Sequence, residues 1–394
     1  MNNKEVSIRG IPFNKTILCQ YLKDEGKCMN QACKYAHSDE EKNNAIAYYK
    51  DQTCTGWLKS KCKFGKKCML LHGFKNLEAG AKIDCTFIRN IILIRKFPVS
   101  FDVFENGNIM MKLNNIGAGF TIVNENGKEL LDINPIKNTL YDKFKIYNNN
   151  NFICSSDKIL MISKLPKIDE TNHNIMTKFS GRKKNIDFSD ISYKIKNDIF
   201  KILSNGNILL LNGRYMEILN GLNLSLIKQC NIPSNIIMDI SQYAFFISDN
   251  NIYVSTSFNK IYRYNYNLEE LNSIDNHFKD NTIIQSNDKI IILDYDNKDE
   301  VYQGSYTLNI YSSNLEPIKT VNLEYKAEKI YEVPNKSYFI GLTRSTLIFY
   351  SIENFNILGY CHLHDSPKNV IIKNEKLYVL FNEGKLELYK INEH

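Results

Sequence analysis

The sequence predicts a mainly β fold, a seven-bladed β-propeller preceded by two small metal-held modules, and three observations lead there. An apolar strand motif recurs between residues 121 and 389 at intervals close to the length of one four-stranded blade. Apolar runs of four to six residues alternate with turn signals, and no long helical period survives beyond residue 85. Near the N-terminus, three cysteines and a histidine occur twice in the same order. Composition agrees: 43% hydrophobic and 24% charged residues in a chain of 394 belong to folded domains and exclude disorder as the main state.

After a tail at residues 1–12, the first elements are modules at 13–40 and 48–75. Cys19-x8-Cys28-x4-Cys33-x3-His37 is followed by Cys54-x7-Cys62-x5-Cys68-x3-His72. Zinc favours tetrahedral thiolate and imidazole ligands, and a final Cys-x3-His on one helical turn brings sulfur and ring nitrogen to one face. Four protein ligands close each site, so both Zn2+ ions are read as structural and metal-assisted hydrolysis is disfavoured. Neither module is long enough to bury a core, and zinc binding worth about 10–16 kcal/mol is expected to supply the fold. Cys85, Cys154, Cys230 and Cys361 are scattered and read as inert thiols in a reducing compartment.

Charge singles out the same segment. Residues 1–85 hold 15 Lys+Arg against 9 Asp+Glu, or +6 of the chain's +7, and the rest is nearly neutral with 35 against 34. Two Cys3His zinc sites would lower the segment to about +4, which is still basic. Such an imbalance points to a polyanionic partner for this segment and to a different role for the larger part. Overuse of Asn, Ile and Lys throughout reads as nucleotide bias.

The modules resemble the tandem CCCH zinc-finger family of RNA-binding proteins over residues 13–75. The likeness rests on Lys15-Thr16-Ile17-Leu18-Cys19 and Tyr49-Lys50-Asp51-Gln52-Thr53-Cys54 as lead-ins, and on Cys62-Lys63-Phe64-Gly65-Lys66-Lys67-Cys68 followed by Leu71-His72-Gly73-Phe74. The resemblance implies that bases stack on aromatics two residues after the second and third cysteines. Those places hold Asn30 and Tyr35 in the first finger and Phe64 and Leu70 in the second, so each finger keeps one platform. A platform is worth about 1–3 kcal/mol per base, so the halved set implies weaker binding than the family's AU-rich recognition. Lys15, Lys34, Lys63, Lys66 and Lys67 surround the sites as phosphate contacts or as a solvated face. Tyr35 and Phe64 are equally the natural packing of so small a module, and Trp57 and Tyr21 are expected to pack.

A linker at 76–84 precedes the sheet region, 85–394. Its repeated motif is Met216-Glu217-Ile218-Leu219, Ile261-Tyr262-Arg263-Tyr264, Leu308-Asn309-Ile310-Tyr311, Leu347-Ile348-Phe349-Tyr350 and Leu386-Glu387-Leu388-Tyr389, with starts 45, 47, 39 and 39 residues apart. Thr121 to Val123 is a sixth copy, 95 residues earlier, leaving room for a degenerate blade near Ile159 to Ile162. Asn-Gly pairs at 106, 126, 205, 212 and 220 supply the positive φ of tight hairpins. The last repeat, from Val370 to Tyr389, is a strand short, and Thr86 to Lys96 are expected to complete it and close the ring. The region resembles a divergent WD40-type propeller in period and strand order only. Trp-Asp and Gly-His dipeptides are missing, and Trp57, the sole tryptophan, lies in the fingers. A β-sandwich or two smaller β domains is the competing architecture. A CCCH pair joined to such a propeller is similar to plant zinc-finger and WD-repeat proteins.

Signatures of catalysis are missing from the sequence. It has no phosphate-cradling Gly-x4-Gly-Lys-Ser/Thr and no Gly-x-Ser-x-Gly elbow, and His173, His277 and His394 have no local acid or nucleophile. Cys361-His362-Leu363-His364 looks like a ligand cluster, but on a strand its cysteine points away from its histidines. The loop from Pro166 to Asp190, with Gly181-Arg182-Lys183-Lys184, reads as an exposed insertion or an extension of a nucleic-acid surface. Neither a membrane span nor a secretory leader is readable, so nucleus or cytoplasm is expected. The expectation is a non-enzymatic, zinc-dependent protein that binds single-stranded RNA through its fingers and a protein partner through its propeller. The alternative is a protein–protein adaptor of a ubiquitin ligase or RNA-processing scaffold, with structural fingers.

Overall fold

The computed structural model describes residues 7–8, 11–12, 15–30, 32–50, 52–58, 62–64, 68–72, 83–91, 98–113, 119–134, 141–148, 151–156, 159–164, 184–185, 192–195, 199–212, 215–232, 244–248, 251–256, 260–275, 282–286, 288–296, 305–323 and 327–394. The chain divides into two compact units, Met1–Gly80 and Ala81–His394.

Among the described residues, the second unit forms seven four-stranded antiparallel blades, the last two joined by a single parallel bridge. Blade 1 runs Pro98–Val103, Ile109–Leu113, Phe120–Val123 and Glu129–Asn134, and blade 2 runs Tyr141–Asn148, Asn151–Ser156, Ile159–Lys164 and Ser192–Lys194. Blade 3 comprises Ile199–Ile202, Ile208–Asn212, Tyr215–Leu219 and Leu226–Asn231; blade 4 comprises Ala244–Ile247, Asn251–Thr256, Lys260–Asn265 and Glu270–Asp275. Blade 5 follows with Thr282–Ser286, Lys289–Asp296, Ser305–Ser312 and Pro317–Leu323, and blade 6 with Lys329–Glu332, Tyr338–Leu342, Thr346–Ser351 and Ile357–His362. Blade 7 takes Pro367–Lys373, Lys376–Phe381 and Leu386–Glu393 from the C-terminus and its outermost strand, Ile83–Ile91, from the start of the unit.

The recurring sequence motif is the third strand of each blade. Its copies carry a polar residue among the apolar ones, with Glu217, Asn309 and Glu387 buried. The second strands hold continuous apolar runs such as Ile208 to Leu211 and Ile290 to Leu293, because both faces of a middle strand are covered by neighbouring blades. In blade 6, Tyr338–Leu342 and Thr346–Ser351 are buried throughout, whereas the outermost strand of blade 5, Pro317–Leu323, is largely exposed. The core is therefore a ring of interblade layers. Phe104, Met110 and Ile122 of blade 1 pack with Phe144 and Phe152 of blade 2. Leu209, Leu211 and Met216 of blade 3 pack with Ile252 and Val254 of blade 4. Phe101, Ile109 and Met111 of blade 1 pack with Tyr378, Leu380 and Leu388 of blade 7, and Pro98–Val103 adjoins Pro367–Lys373, so last blade meets first. This arrangement excludes the sandwich.

Closure takes the form the short final repeat implied, with shifted bounds. Ile83–Ile91 pairs antiparallel with Leu386–Glu393, from Ile83 opposite Glu393 to Ile91 opposite Leu386. One parallel bridge, Gly359 to Ile83, ties the same strand to blade 6. The strand begins three residues before Thr86 and is described only as far as Ile91.

A turn leading into the outermost strand repeats with the blades. An Asn or Ser opens it, and the residue before the polar exit lies at positive φ: Gly127 (78°), Leu224 (56°), Leu268 (57°), Leu315 (63°) and Phe355 (65°). Each of these donates its N–H to the carbonyl of the opening residue, at 2.9–3.0 Å. The opening side chain accepts a backbone N–H two residues on, as in Asn267 to Asn265 Oδ1 and Asn314 to Ser312 Oγ. Positive φ is costly for a branched side chain, and here burial of Leu224, Leu268, Leu315 and Phe355 offsets it.

The expectation for the Asn-Gly pairs holds in part. Gly107, Gly127 and Gly206 have positive φ, and Gly213 lies outside the described residues. At Asn220-Gly221 the positive φ falls on Leu224, and Gly221 serves close packing. A Cβ there would sit 1.9 Å from the Gly206 carbonyl oxygen, which already accepts the Tyr147 hydroxyl at 2.7 Å. Gly221→Ala is therefore expected to destabilise the propeller by about 1–3 kcal/mol, read as a lower denaturation midpoint with unchanged slope. Of the loop from Pro166 to Asp190, only Lys184–Asn185 is described, pairing parallel with Glu129–Asn134 as a fifth strand of blade 1.

Candidate metal centres

The two modules repeat one backbone plan. The Cys19 N–H donates to the Ala36 carbonyl at 2.8 Å and the Ala36 N–H to Ile17 at 2.7 Å; Cys54 to Leu71 and Leu71 to Gln52 repeat this at 2.9 Å each. These bonds frame parallel bridges from Leu18 to Ala36 and from Thr53 to Leu71. Each therefore pins the segment before the first cysteine against the residue before the histidine. A short helix follows each first cysteine, Gln20–Glu25 in one module and Thr55–Leu58 in the other. Gly26 ends the first at φ 69°.

This plan gathers Cys19, Cys28, Cys33 and His37 into one group and Cys54, Cys62, Cys68 and His72 into another, with ligand atoms in each within 4.8 Å of one another. Cys19 Sγ and Cys33 Sγ are 3.7 Å apart. Two sulfurs each about 2.3 Å from a tetrahedral ion would be about 3.8 Å apart, so the spacing fits zinc. Nε2 of His37 and of His72 is buried with no hydrogen-bond partner among the described residues. A buried imidazole nitrogen left unpaired is costly, and a cation at the centre of each group would satisfy it. The chemistry of the donors agrees: the Leu22 N–H draws the Cys19 thiol below its usual range against the pull of burial. Burial pushes the Cys68 thiol up to about 12, the opposite direction to Cys19. The four donors of each group fit one zinc ion.

Outer contacts brace both groups. The Trp57 ring stacks on His72, with centroids 6.0 Å apart and planes 15° from parallel, and the Trp57 backbone N–H donates to Cys54 Sγ at 3.3 Å. Beside the first group, Glu41 accepts the His37 N–H at 2.6 Å and pairs with Lys15 at 3.0 Å; these two contacts, in that order, hold its carboxyl low. Ser38 Oγ caps the helix Asp39–Lys50 by accepting the Glu41 N–H at 3.0 Å.

The remaining candidates fall in distinct places. Tyr35 and Phe64 are 36% and 39% exposed beside their respective groups. Lys34 and Lys63 are exposed, Lys15 is committed to Glu41, and Lys66 and Lys67 lie outside the described residues. Asn30 shapes the loop between ligands, since its carbonyl accepts the Cys33 N–H and its side chain the Ala32 N–H. Trp57 packs as expected. Tyr21 does not; it is 65% exposed on a helix of only six residues that turns Leu22 inward. The exposed Ile17, Leu18 and Met29 carried no sequence signal. In Cys361-His362-Leu363-His364 the imidazoles have separate partners, Thr346 Oγ1 and Glu387 Oε2, each at 2.9 Å.

No protein-family model matches the chain, and no curated protein matches its sequence. Solved structures do match its fold. The crystal structure of Chaetomium thermophilum Raptor aligns with a TM-score of 0.57 at 10% identity, over 78% of this chain and 29% of that one. BBS1N, crystallised in complex with ARL6DN and soaked with mercury, aligns at 0.55 and 8% identity, over 79% of this chain and 98% of that one; the lead-soaked crystal gives 0.52 and 10%. The chain thus spans under a third of Raptor and nearly all of BBS1N. At these identities the likeness is one of β-propeller fold alone.

Proposed function

We propose that the two modules are CCCH zinc fingers that bind single-stranded RNA, and that the propeller is a protein-interaction platform in RNA metabolism, in nucleus or cytoplasm and without catalysis. Cys19, Cys28, Cys33 and His37 hold one structural zinc, and Cys54, Cys62, Cys68 and His72 the other. The observation that carries the reading is the exposure of Tyr35 and Phe64 beside the two groups, in contrast to the tryptophan covered by a ligand. An aromatic that only fills a core has no need of an open face, whereas base stacking requires one. Lys34 and Lys63, each one residue before these rings in sequence, supply sequence-independent attraction for phosphates. The platform role rests on the fold and on the neighbour BBS1N, whose crystal contains ARL6DN.

Titration of the full zinc-loaded chain with short single-stranded RNAs at several salt concentrations tests this. Binding should fall linearly on a log–log salt scale, and Phe64→Ala should weaken it about 5- to 150-fold with the metal retained. Full affinity in that variant rejects the stacking role. Absence of binding even at low salt favours the adaptor, which has its own supporting observation: Ile17, Leu18, Tyr21 and Met29 put apolar surface on the first finger, Met29 being 85% exposed.

A further inference from the structure

We propose that Cys85 and Cys361, both free thiols in the structure and read from the sequence as inert, are instead a redox pair whose oxidation to a disulfide latches the propeller ring. The two residues are 276 apart in sequence and meet at the seam where Ile83–Ile91, which completes blade 7, touches the outermost strand of blade 6. Gly359 opposite Ile83 is the parallel bridge there, and Cys361 and Cys85 each lie two residues further on, level with one another. Adjacent strands run about 4.8 Å apart, inside the roughly 4.4–6.8 Å Cα separation that a disulfide spans. The side chains point the same way. Both belong to the apolar cluster between blades 6 and 7, and the Cys361 thiol is 4.0 Å from the Cys85 carbonyl oxygen.

Position gives the pair its consequence. One strand holds the ring closed by pairing with Leu386–Glu393 and by a single bridge to blade 6, and both contacts are non-covalent. A bond from Cys85 to Cys361 would fix that strand to blade 6 and close a covalent loop around nearly the whole propeller. In the closed ring the thiol contact, then burial, keeps Cys85 protonated, so the reactive thiolate arises when the first residues of the strand fray. Oxidation is then gated by opening of the seam and captures the strand when it re-forms. The oxidant we name is a small-molecule disulfide such as oxidised glutathione. The Cys85 thiolate attacks it and expels one glutathione thiolate. Cys361, as thiolate, then attacks the Cys85 sulfur of the mixed disulfide and expels the second. Two protein thiols lose two electrons and two protons, and one glutathione disulfide becomes two glutathiones.

The test uses the full zinc-saturated chain equilibrated in oxidised or reduced glutathione buffers, then alkylated and digested. The expected result is a peptide pair joined through Cys85 and Cys361 in the oxidised sample only, reversed by dithiothreitol. With it, the thermal unfolding midpoint of the propeller should rise by about 5–10 °C, as for a long closed loop. In Cys361→Ser both effects should vanish; if that variant fails to fold, the oxidised and dithiothreitol-treated wild type carry the comparison. Both thiols remaining open to alkylation, glutathione left on Cys85 without the cross-link, or a cross-link that leaves the midpoint unmoved would each overturn the latch.

Discussion

Chelating zinc is expected to unfold residues 15–72 and leave the propeller intact. Among the described residues of this segment, the buried apolar groups are Cys19, Cys33, Ala36 and Cys54, of which three belong to the two Cys3His groups. The longest helix, Asp39–Lys50, buries nothing. With so little apolar area withdrawn from water, folding depends on the metal, whose binding in small fingers is worth about 10–16 kcal/mol. The chain carries its own reporter, since its one tryptophan lies on His72. Chelation should red-shift Trp57 emission and open the segment to protease while the far-ultraviolet β signal persists. Cys54→Ser should mimic this, whereas Cys33→Ser should unfold the first module and spare the Trp57 signal, because the ligand sets share no residue. Emission unchanged by chelator would show that the modules fold without metal. Acid should act like chelator, because thiolate and imidazole ligands must be deprotonated to hold the ion.

The two Cys3His groups are legible in the sequence because all four donors of each lie within one short stretch. The helical turn expected for Cys-x3-His is not formed: residues 33–37 and 68–72 are non-helical, and the Leu18–Ala36 and Thr53–Leu71 bridges bring the histidine end to the first cysteine. Blade number is legible for a related reason. A third strand covered on both faces is rich in large apolar residues even where it buries a polar one such as Glu217 or Glu387, so its copies stand out at regular intervals even though Trp-Asp and Gly-His are missing. Features set by packing between distant segments are not legible. Leu224, Leu268 and Leu315 occupy a position that backbone sterics reserve for glycine, and only the layer beneath them explains it. Gly221 looks like a turn glycine in sequence, and only the approach of the Gly206 carbonyl gives its reason. The missing strand of the last repeat points to Thr86 to Lys96 as the closing strand, but its bounds are set by packing and shift to Ile83–Ile91. Phe87 and Ile88 are exposed, and the pairing is fixed by Ile83 and Ile91, each buried in a different interblade layer.

That division of labour makes removal of the closing strand damaging, since it opens two interblade layers at once. A chain starting at residue 98 is expected to aggregate or to unfold at much lower denaturant than one starting at residue 81. The shorter chain loses Ile83 from the layer between blades 6 and 7 and Ile91 from the layer between blades 7 and 1. Emptying two such sites costs about 2–5 kcal/mol each, against a total stability of about 5–15 kcal/mol for a folded domain. It also leaves Leu386–Glu393 as an unpaired edge, a template for pairing with other chains. Gly359→Ala isolates the seam with a single atom. Its Cβ would lie 1.7 Å from the Ile83 carbonyl oxygen, so the strand must part from blade 6 even where its pairing within blade 7 survives. Equal midpoints for the two truncated chains would reject closure by this strand. A peptide of residues 83–96 that raises the midpoint of the shorter chain in proportion to its concentration would establish it, since a ligand that binds only the folded ring stabilises by mass action.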